Sequence, residues 1–316
     1  MPATQPIPIV CLSEAFDFIA MFGEAFARQA PGLRLVAPED VTDPGAVRYA
    51  LVHDPAPDAF RLFHGLRLVC AWGAGVDNLL QHPGLPAGLP VKRMTDPGQA
   101  RMMADFAAYY VTGWQRRMFG YPAQQARKEW RDINWTPPAE FPVGILGFGR
   151  MGAAIGEALR ALGFPVTAWA GRARAEGGIE VLAGEAGFGR VVSDSAALIN
   201  VLPLTRETEG ILGAGVFARM RADAILIQLA RGAHLVEPDL LAALDAGRPA
   251  LAALDVFRTE PLPKESPLWT HPKVMITPHV ASAADPDAVA RSVAEGVRAV
   301  EAGETPAGIV DRARGY

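Results

Sequence analysis

Three things are scarce in this chain of 316 residues. It has two cysteines, Cys11 and Cys70, both inside apolar runs. No disulfide framework can be built, and buried thiols in a reducing compartment are the expected state. Long apolar runs are missing: none approaches the roughly 20 residues that cross a bilayer, so no membrane span is expected. An excess of one charge is missing as well. Thirty Lys and Arg face 34 Asp and Glu, leaving a net charge of −4. No basic stripe is present, which argues against general nucleic-acid binding. An anionic ligand must therefore find its positive charge locally. The opening Met1-Pro-Ala-Thr-Gln-Pro6 has no basic n-region, so no signal peptide and a cytoplasmic location are expected. There is no internal repeat and no low-complexity tract.

What is present is an alternation of strand and helix patterns. At 50% hydrophobic and 20% charged, the chain is globular in composition and long enough for two domains. Strands are expected at Ile7–Leu12, Leu33–Val36, Tyr49–Val52, Leu66–Cys70 and Val91–Met94. Ser13 is the expected cap of a helix over Glu14–Arg28. A helix over Arg101–Arg117 follows, then an irregular arm, Gly120–Phe141, carrying Tyr121, Trp130 and Trp135 among prolines. Aromatics on a long irregular segment suggest a partner surface. Beyond it, strands are expected at Val143–Leu146, Val166–Trp169, Leu198–Leu202, Ala224–Leu229, Leu251–Val256 and Val274–Thr277, with a helix over Pro238–Ala246. The alternation implies α/β architecture with doubly wound parallel sheets in two domains. The helix Pro286–Ala302 follows the last strand of the second half and is expected to cross back to the first domain, which makes that domain discontinuous.

The most informative segment is Val143-Gly-Ile-Leu-Gly-Phe-Gly-Arg-Met-Gly152. An apolar run breaks into Gly147-x-Gly149-x-x-Gly152 and a helix-compatible stretch follows. Gly147 can take a sharp turn, Gly149 lets backbone approach a pyrophosphate, and Gly152 lets helix pack on strand. The helix expected over Ala153–Leu162 offers N–H groups at its N-terminus to phosphate, and Arg150 and Met151 beside it are expected cofactor contacts. An NAD site carries an acidic residue about 20 residues beyond the glycines. Here the next strand runs into Ala170-Gly-Arg-Ala-Arg174, with no acid before Glu176. Arg172 and Arg174 can pair with a 2′-phosphate. NADP(H) is therefore the expected cofactor, with NAD(H) a possible substitute, and no metal is expected.

Three ionisable residues stand at ends of expected strands: Arg231, Glu260 and His279. Ligands of open parallel sheets bind beyond the carboxyl ends of the strands. Singly each is an ordinary loop or core residue. Together an arginine can fix a carboxylate by two parallel bonds, a histidine can pass a proton to a carbonyl oxygen, and a glutamate can favour the charged imidazole. Hydride transfer to a 2-oxo acid needs these roles.

The order GxGxxG, Leu202-Pro-Leu-Thr205, Leu229-Ala-Arg-Gly232, Leu254-Asp-Val-Phe257 with Glu260-Pro-Leu-Pro263, and Thr277-Pro-His279 resembles the D-2-hydroxyacid dehydrogenase family over nearly the whole chain. Gly75-Val-Asp-Asn-Leu-Leu80, Gly163-Phe-Pro-Val166 with Trp169, and Pro261-Leu-Pro-Lys-Glu-Ser-Pro-Leu-Trp269 are similar to its glyoxylate/hydroxypyruvate reductase A branch. The resemblance implies a Rossmann coenzyme domain, residues 99–280, inserted in a discontinuous flavodoxin-like substrate domain, residues 1–98 and 281–316. It implies that Arg231, Glu260 and His279 are catalytic. Trp72, Ala74, Gly75 and His53 are implied substrate contacts. Leu202, Pro203, Ala230, Asp255 and His279 are implied at the cofactor, with Asp255 at the nicotinamide end. The arm 120–141 is implied to help form a homodimer.

The implied reaction is NADPH-dependent reduction of glyoxylate and hydroxypyruvate to D-2-hydroxy acids. The alternatives are a relative acting on a bulkier 2-oxo acid, or a nucleotide-sensing binding protein. Glu260 argues against a formate dehydrogenase, whose histidine pairs with glutamine. Two departures stand out. Gln228 replaces the family's usual Asn, with little effect expected. His53-Asp54 stands where the branch more often has Trp-His, which bears on substrate preference.

Overall fold

A computed structural model describes residues 5–312. The chain divides into two compact units, residues up to Gly98 with those from Ala284 onward, and Gln99–Ala283. In the first unit, strands β1 (Ile7–Leu12), β2 (Leu33–Val36), β3 (Tyr49–Val52), β4 (Leu68–Ala71) and β5 (Val91–Lys92) form a parallel sheet in the order β2-β1-β3-β4-β5. β3 and β4 are buried at every residue. This is why they read as unbroken apolar runs rather than alternating ones, since helices cover both faces of a parallel sheet.

Helix α1 (Phe18–Gln29) buries Phe18, Phe22, Ala25 and Phe26, the i, i+4, i+7, i+8 face of an amphipathic helix. It shares one core cluster with Val289, Val293 and Val297 of the helix Pro286–Glu301. Each of these buried Phe and Val side chains contributes about 1.5–3 kcal/mol of transfer free energy. Arg28 and Gln29 also reach Asp287, at 2.9 and 3.1 Å.

Ser13 does not cap α1. Its Oγ accepts from Ala15 and Phe16 N–H in a tight turn. Asp17 Oδ1 accepts from Ile19 and Ala20 N–H at 3.0 Å each and starts the helix later than expected. The apolar face begins only at Phe18, so a turn at residue 14 would have had nothing to bury. A short helix α2 (Asp77–Gln81) follows β4.

The second unit starts in the first turn of α3 (Pro97–Gln115). The arm that follows contains one short α-helix, α4 (Tyr121–Ala126), and a 3-10 turn at Pro138–Glu140, and is otherwise irregular. Trp130 is fully exposed and Trp135 half exposed, with the Arg116 guanidinium 5.2 Å from the Trp135 ring.

Strands β6 (Val143–Leu146), β7 (Val166–Trp169), β8 (Arg174–Glu176), β9 (Ile179–Leu182), β10 (Ala197–Asn200), β11 (Ile225–Gln228), β12 (Leu251–Leu254) and β13 (Val274–Ile276) make one sheet in the order β13-β12-β11-β10-β6-β7-β9-β8. All neighbours are parallel except β8 and β9. Helices α5 (Arg150–Ala161), α6 (Gly184–Asp194), α7 (Ala214–Phe217) and α8 (Glu237–Asp245) connect them. The strand order reverses at β6, the position where doubly wound sheets open a crevice. Among the described residues no helix is long and apolar enough to cross a membrane.

Candidate active site

The glycine turn follows β6. Gly147 has φ +97°, and a Cβ there would lie 2.7 Å from the Val201 carbonyl oxygen. Only glycine takes this conformation without strain. A Cβ on Gly152 would lie 2.0 Å from the Gly147 carbonyl oxygen, so α5 reaches its strand only because the side chain is missing. Gly149 is different: a Cβ there would meet nothing within 4 Å. That open approach lies at the N-cap of α5, whose first turn at Arg150, Met151 and Gly152 receives no side-chain cap. The turn thus fits a dinucleotide pyrophosphate: free backbone donors, a positive dipole end and room for the ligand.

Beyond β7, Arg172 is exposed. Arg174, on β8, donates from Nε to Glu176 at 2.7 Å and from Nη2 to the Phe148 carbonyl at 2.6 Å, with its guanidinium 5.5 Å from the Phe148 ring. Phe148 lies between Gly147 and Gly149, so Arg174 is held against the glycine turn itself.

Parallel strands deliver the three ionisable residues to the same edge of this sheet. Arg231 follows β11, Glu260 follows β12, and His279 follows β13. Glu260 Oε2 lies 2.7 Å from His279 Nδ1, and its Oε1 accepts from Phe257 N–H at 2.8 Å. Burial alone would raise the Glu260 pKa. The hydrogen bonds from His279 and Phe257 and the charges of His279 and Arg231 outweigh it, and the carboxyl sits below the ordinary glutamate value. The Glu260 carboxyl is therefore already ionised at the bottom of the usual glutamate range, and the stability its charge contributes is lost as pH falls through that depressed value. Arg231 Nη1 donates to the Ala230 carbonyl at 2.8 Å.

His279 has φ +55°, a left-handed conformation that costs a residue with a Cβ about 1–2 kcal/mol. Asp255 holds it there. This carboxylate is 1% exposed. Oδ1 accepts from Thr277 Oγ1 at 2.6 Å and Val280 N–H at 2.9 Å, and Oδ2 accepts from Ala281 N–H at 2.9 Å. The Asp255 main-chain carbonyl accepts from His279 N–H at 2.9 Å. Asp255 is thus the anchor of the histidine turn, a task that its place in Leu254-Asp-Val-Phe257 did not disclose.

Gln228 is also more than a neutral replacement. It is fully buried, accepts from Asn200 Nδ2 and donates to the Arg231 carbonyl. His234, absent from the expected site, is fully buried and accepts from Arg231 N–H. Leu202 and Ala230 are buried and Pro203 is half-buried, all at the ends of β10 and β11.

In the first unit, His53 and Trp72 directly follow β3 and β4, with ring centroids 5.2 Å apart. Phe16, not expected at the site, joins them at 5.3 and 4.9 Å. Ala74 is half-buried and Gly75 exposed in the loop that follows. Among the described residues no group of His, Cys, Asp or Glu could hold a metal ion.

Residues 109–281 match the model of the D-isomer specific 2-hydroxyacid dehydrogenase NAD-binding domain. The chain belongs to the D-isomer specific 2-hydroxyacid dehydrogenase family. It is 44% identical over 273 residues to a glyoxylate/hydroxypyruvate reductase A of Serratia proteamaculans, covering 85% of this chain and 87% of that one. A dehydrogenase of this family from Xanthobacter autotrophicus Py2, solved with NADPH and MES, superposes with a TM-score of 0.92 at 36% identity, covering 98% and 99% of the two chains. An NADPH-dependent glyoxylate/hydroxypyruvate reductase of Sinorhizobium meliloti, solved with NADP and sulfate, gives 0.91 at 32% identity over 98% and 99%. The two-sheet α/β architecture of this dehydrogenase is shared with those structures.

Proposed function

We propose that the protein reduces small 2-oxo acids, glyoxylate and hydroxypyruvate first, to D-2-hydroxy acids with NADPH. The observation that carries this reading is the His279–Glu260 contact at 2.7 Å at the end of the strand beside the one that leads to Arg231, on the sheet edge that also bears the glycine turn. The names of the relatives support the substrate class and the cofactor.

In this reading, Gly147, Gly149, Arg150, Met151 and Gly152 hold the pyrophosphate. Arg172 and Arg174 would hold the 2′-phosphate, and Leu202, Pro203 and Ala230 would stand near the nicotinamide. Asp255 acts there by shaping the His279 turn. When bound, the reduced nicotinamide would supply a hydride to C2 of the substrate. Arg231 pairs with the substrate carboxylate and polarises the carbonyl. The Glu260 carboxylate accepts from His279 Nδ1–H, which leaves Nε2 of the protonated imidazole to give its proton to the forming alkoxide. Glu260 orients the imidazole for that transfer through the bond to Nδ1. Trp72, Ala74, Gly75 and His53 are proposed as substrate contacts on the resemblance of their loops. Residues 99–280 are the proposed coenzyme domain, and 1–98 with 281–316 the substrate domain.

The test is purified protein with NADPH and a panel of 2-oxo acids, followed by cofactor absorbance. Glyoxylate and hydroxypyruvate should lead, and a bulky aromatic 2-oxo acid as best substrate would overturn the substrate assignment and point to His53. Glu260→Gln should keep the fold and move the loss of kcat/KM to lower pH, because the imidazole loses the charge that favours its protonated form. An unchanged pH profile would show that Glu260 does not tune the acid.

We also propose a homodimer through α3 and the arm. Tyr109 and Met118 are exposed beside an apolar groove of about 730 Å³ that Ala108, Phe119 and Pro122 help line. A second copy is the occupant favoured by exposed apolar side chains around this groove, next to an aromatic-bearing arm. Tyr109→Glu with Met118→Glu should shift the sedimentation coefficient from dimer to monomer. A wild type that sediments as a monomer would refute this.

A further inference from the structure

β10 and β11 pair in register up to Asn200 and Gln228, their last rung. Beyond it, side chains continue the connection. Leu202 N–H donates to Asn200 Oδ1 at 3.2 Å, and Asn200 Nδ2 donates to Gln228 Oε1 at 2.8 Å. Gln228 Nε2 donates to the Arg231 carbonyl at 3.0 Å. Arg231 N–H donates to His234 Nδ1 at 3.3 Å, and His234 Nε2 pairs with the Pro203 carbonyl at 3.2 Å. The path starts at Leu202 and ends at Pro203, so it closes into a ring through Arg231. Asn200, Gln228 and His234 are each 0% exposed.

The chemistry sets the direction of every bond. His234 Nδ1 faces an N–H and must accept, so Nε2 carries the proton and donates to the carbonyl, which is the neutral tautomer. A buried network in which each member has both its bonds is rigid, and deleting one member leaves a buried group without its partner.

We propose that Asn200, Gln228 and His234 are positioning residues that couple the Leu202–Pro203 loop to the main chain of Arg231. A dinucleotide seated on that loop thereby sets Arg231 before the 2-oxo acid binds. This rests on the function proposed above for the loop and for Arg231. It explains why Gln228 serves here: its longer side chain spans from Asn200 to the Arg231 carbonyl.

The test is amide hydrogen exchange with and without NADPH, together with steady-state kinetics, on the wild type, His234→Phe and His234→Gln. In the wild type, NADPH should slow exchange in residues 200–205 and 228–235 together. In His234→Phe, protection of 200–205 should remain and that of 228–235 should be lost. KM for glyoxylate should rise about tenfold or more, while NADPH affinity, read by fluorescence titration, stays within about twofold. His234→Gln, which keeps an acceptor and a donor, should recover most of the loss. On an Arg231→Ala background, His234→Phe should add nothing further, because it acts through Arg231.

Equal NADPH protection of both segments in His234→Phe and wild type would overturn the coupling, as would a full additional loss on the Arg231→Ala background. A wild type that reduces no 2-oxo acid would defeat the proposed function, and the exchange data would still decide the coupling.

Discussion

His279→Ala is expected to lower kcat by about 10²- to 10⁴-fold, the usual worth of a positioned general acid, while NADPH affinity changes by less than about threefold. The separation follows from geometry. The imidazole is paired through Nδ1 with Glu260, and no bond of the glycine turn depends on it. Stability should change little, because His279 is exposed and alanine inherits the same left-handed backbone. The turn is held by Asp255, whose three carboxylate bonds go to Thr277, Val280 and Ala281 and whose main-chain carbonyl takes the His279 N–H, none of them involving the imidazole. Single-turnover absorbance measures the chemical step, and fluorescence titration measures NADPH binding. Loss of NADPH affinity equal to the loss of kcat would mean that His279 holds the cofactor rather than moves a proton. Thr277→Val makes a useful contrast. It removes one of the anchor bonds, so it should lower kcat less than His279→Ala while leaving the imidazole present.

Arg172→Ala with Arg174→Ala is expected to lower kcat/KM for NADPH by about 10²-fold or more, from the loss of charge-assisted bonds to the 2′-phosphate. NADH should change by less than about threefold. The two single variants should differ. Arg172 is exposed, and its removal would delete only the proposed phosphate partner. Arg174 also braces the Phe148 carbonyl within the glycine turn. Its removal should therefore weaken NADH slightly as well as NADPH. Glu176 adds a further arm: its carboxylate already occupies Arg174 Nε at 2.7 Å. Glu176→Gln should tighten NADPH, because the phosphate no longer shares Arg174 with a like charge. Equal or better use of NADH by the wild type would sink the assignment of both arginines.

The sheet of the first unit and the inner strands of the second were legible because parallel strands covered on both faces appear as unbroken apolar runs. Val143–Leu146, Tyr49–Val52 and Ile7–Leu12 stand where the pattern put them. The β8–β9 hairpin was not expected. Arg174–Glu176 is exposed throughout, since it forms the sheet edge, and nothing in its composition marks a strand. The start of α1 was misplaced because Ser13 and Asp17 are both good caps. Only the position of the apolar face, beginning at Phe18, decides between them.

The sequence by itself determined the α/β class, the glycine turn and the identity of the ionisable strand ends. Each of these depends on residues close together in the chain: a glycine spacing, an apolar run, a charge just past a strand. Tertiary structure decided what holds those residues in place. Asp255 meets Thr277 and Ala281 across 22 and 26 positions, Asn200 meets Gln228 across 28, and His234 meets Pro203 across 31. Such bonds exist only once strands have paired in register, so a buried Asp, Gln or His in the sequence carries no mark of its partner. The chemistry of the proposed site was written locally, and its rigidity was written in the packing.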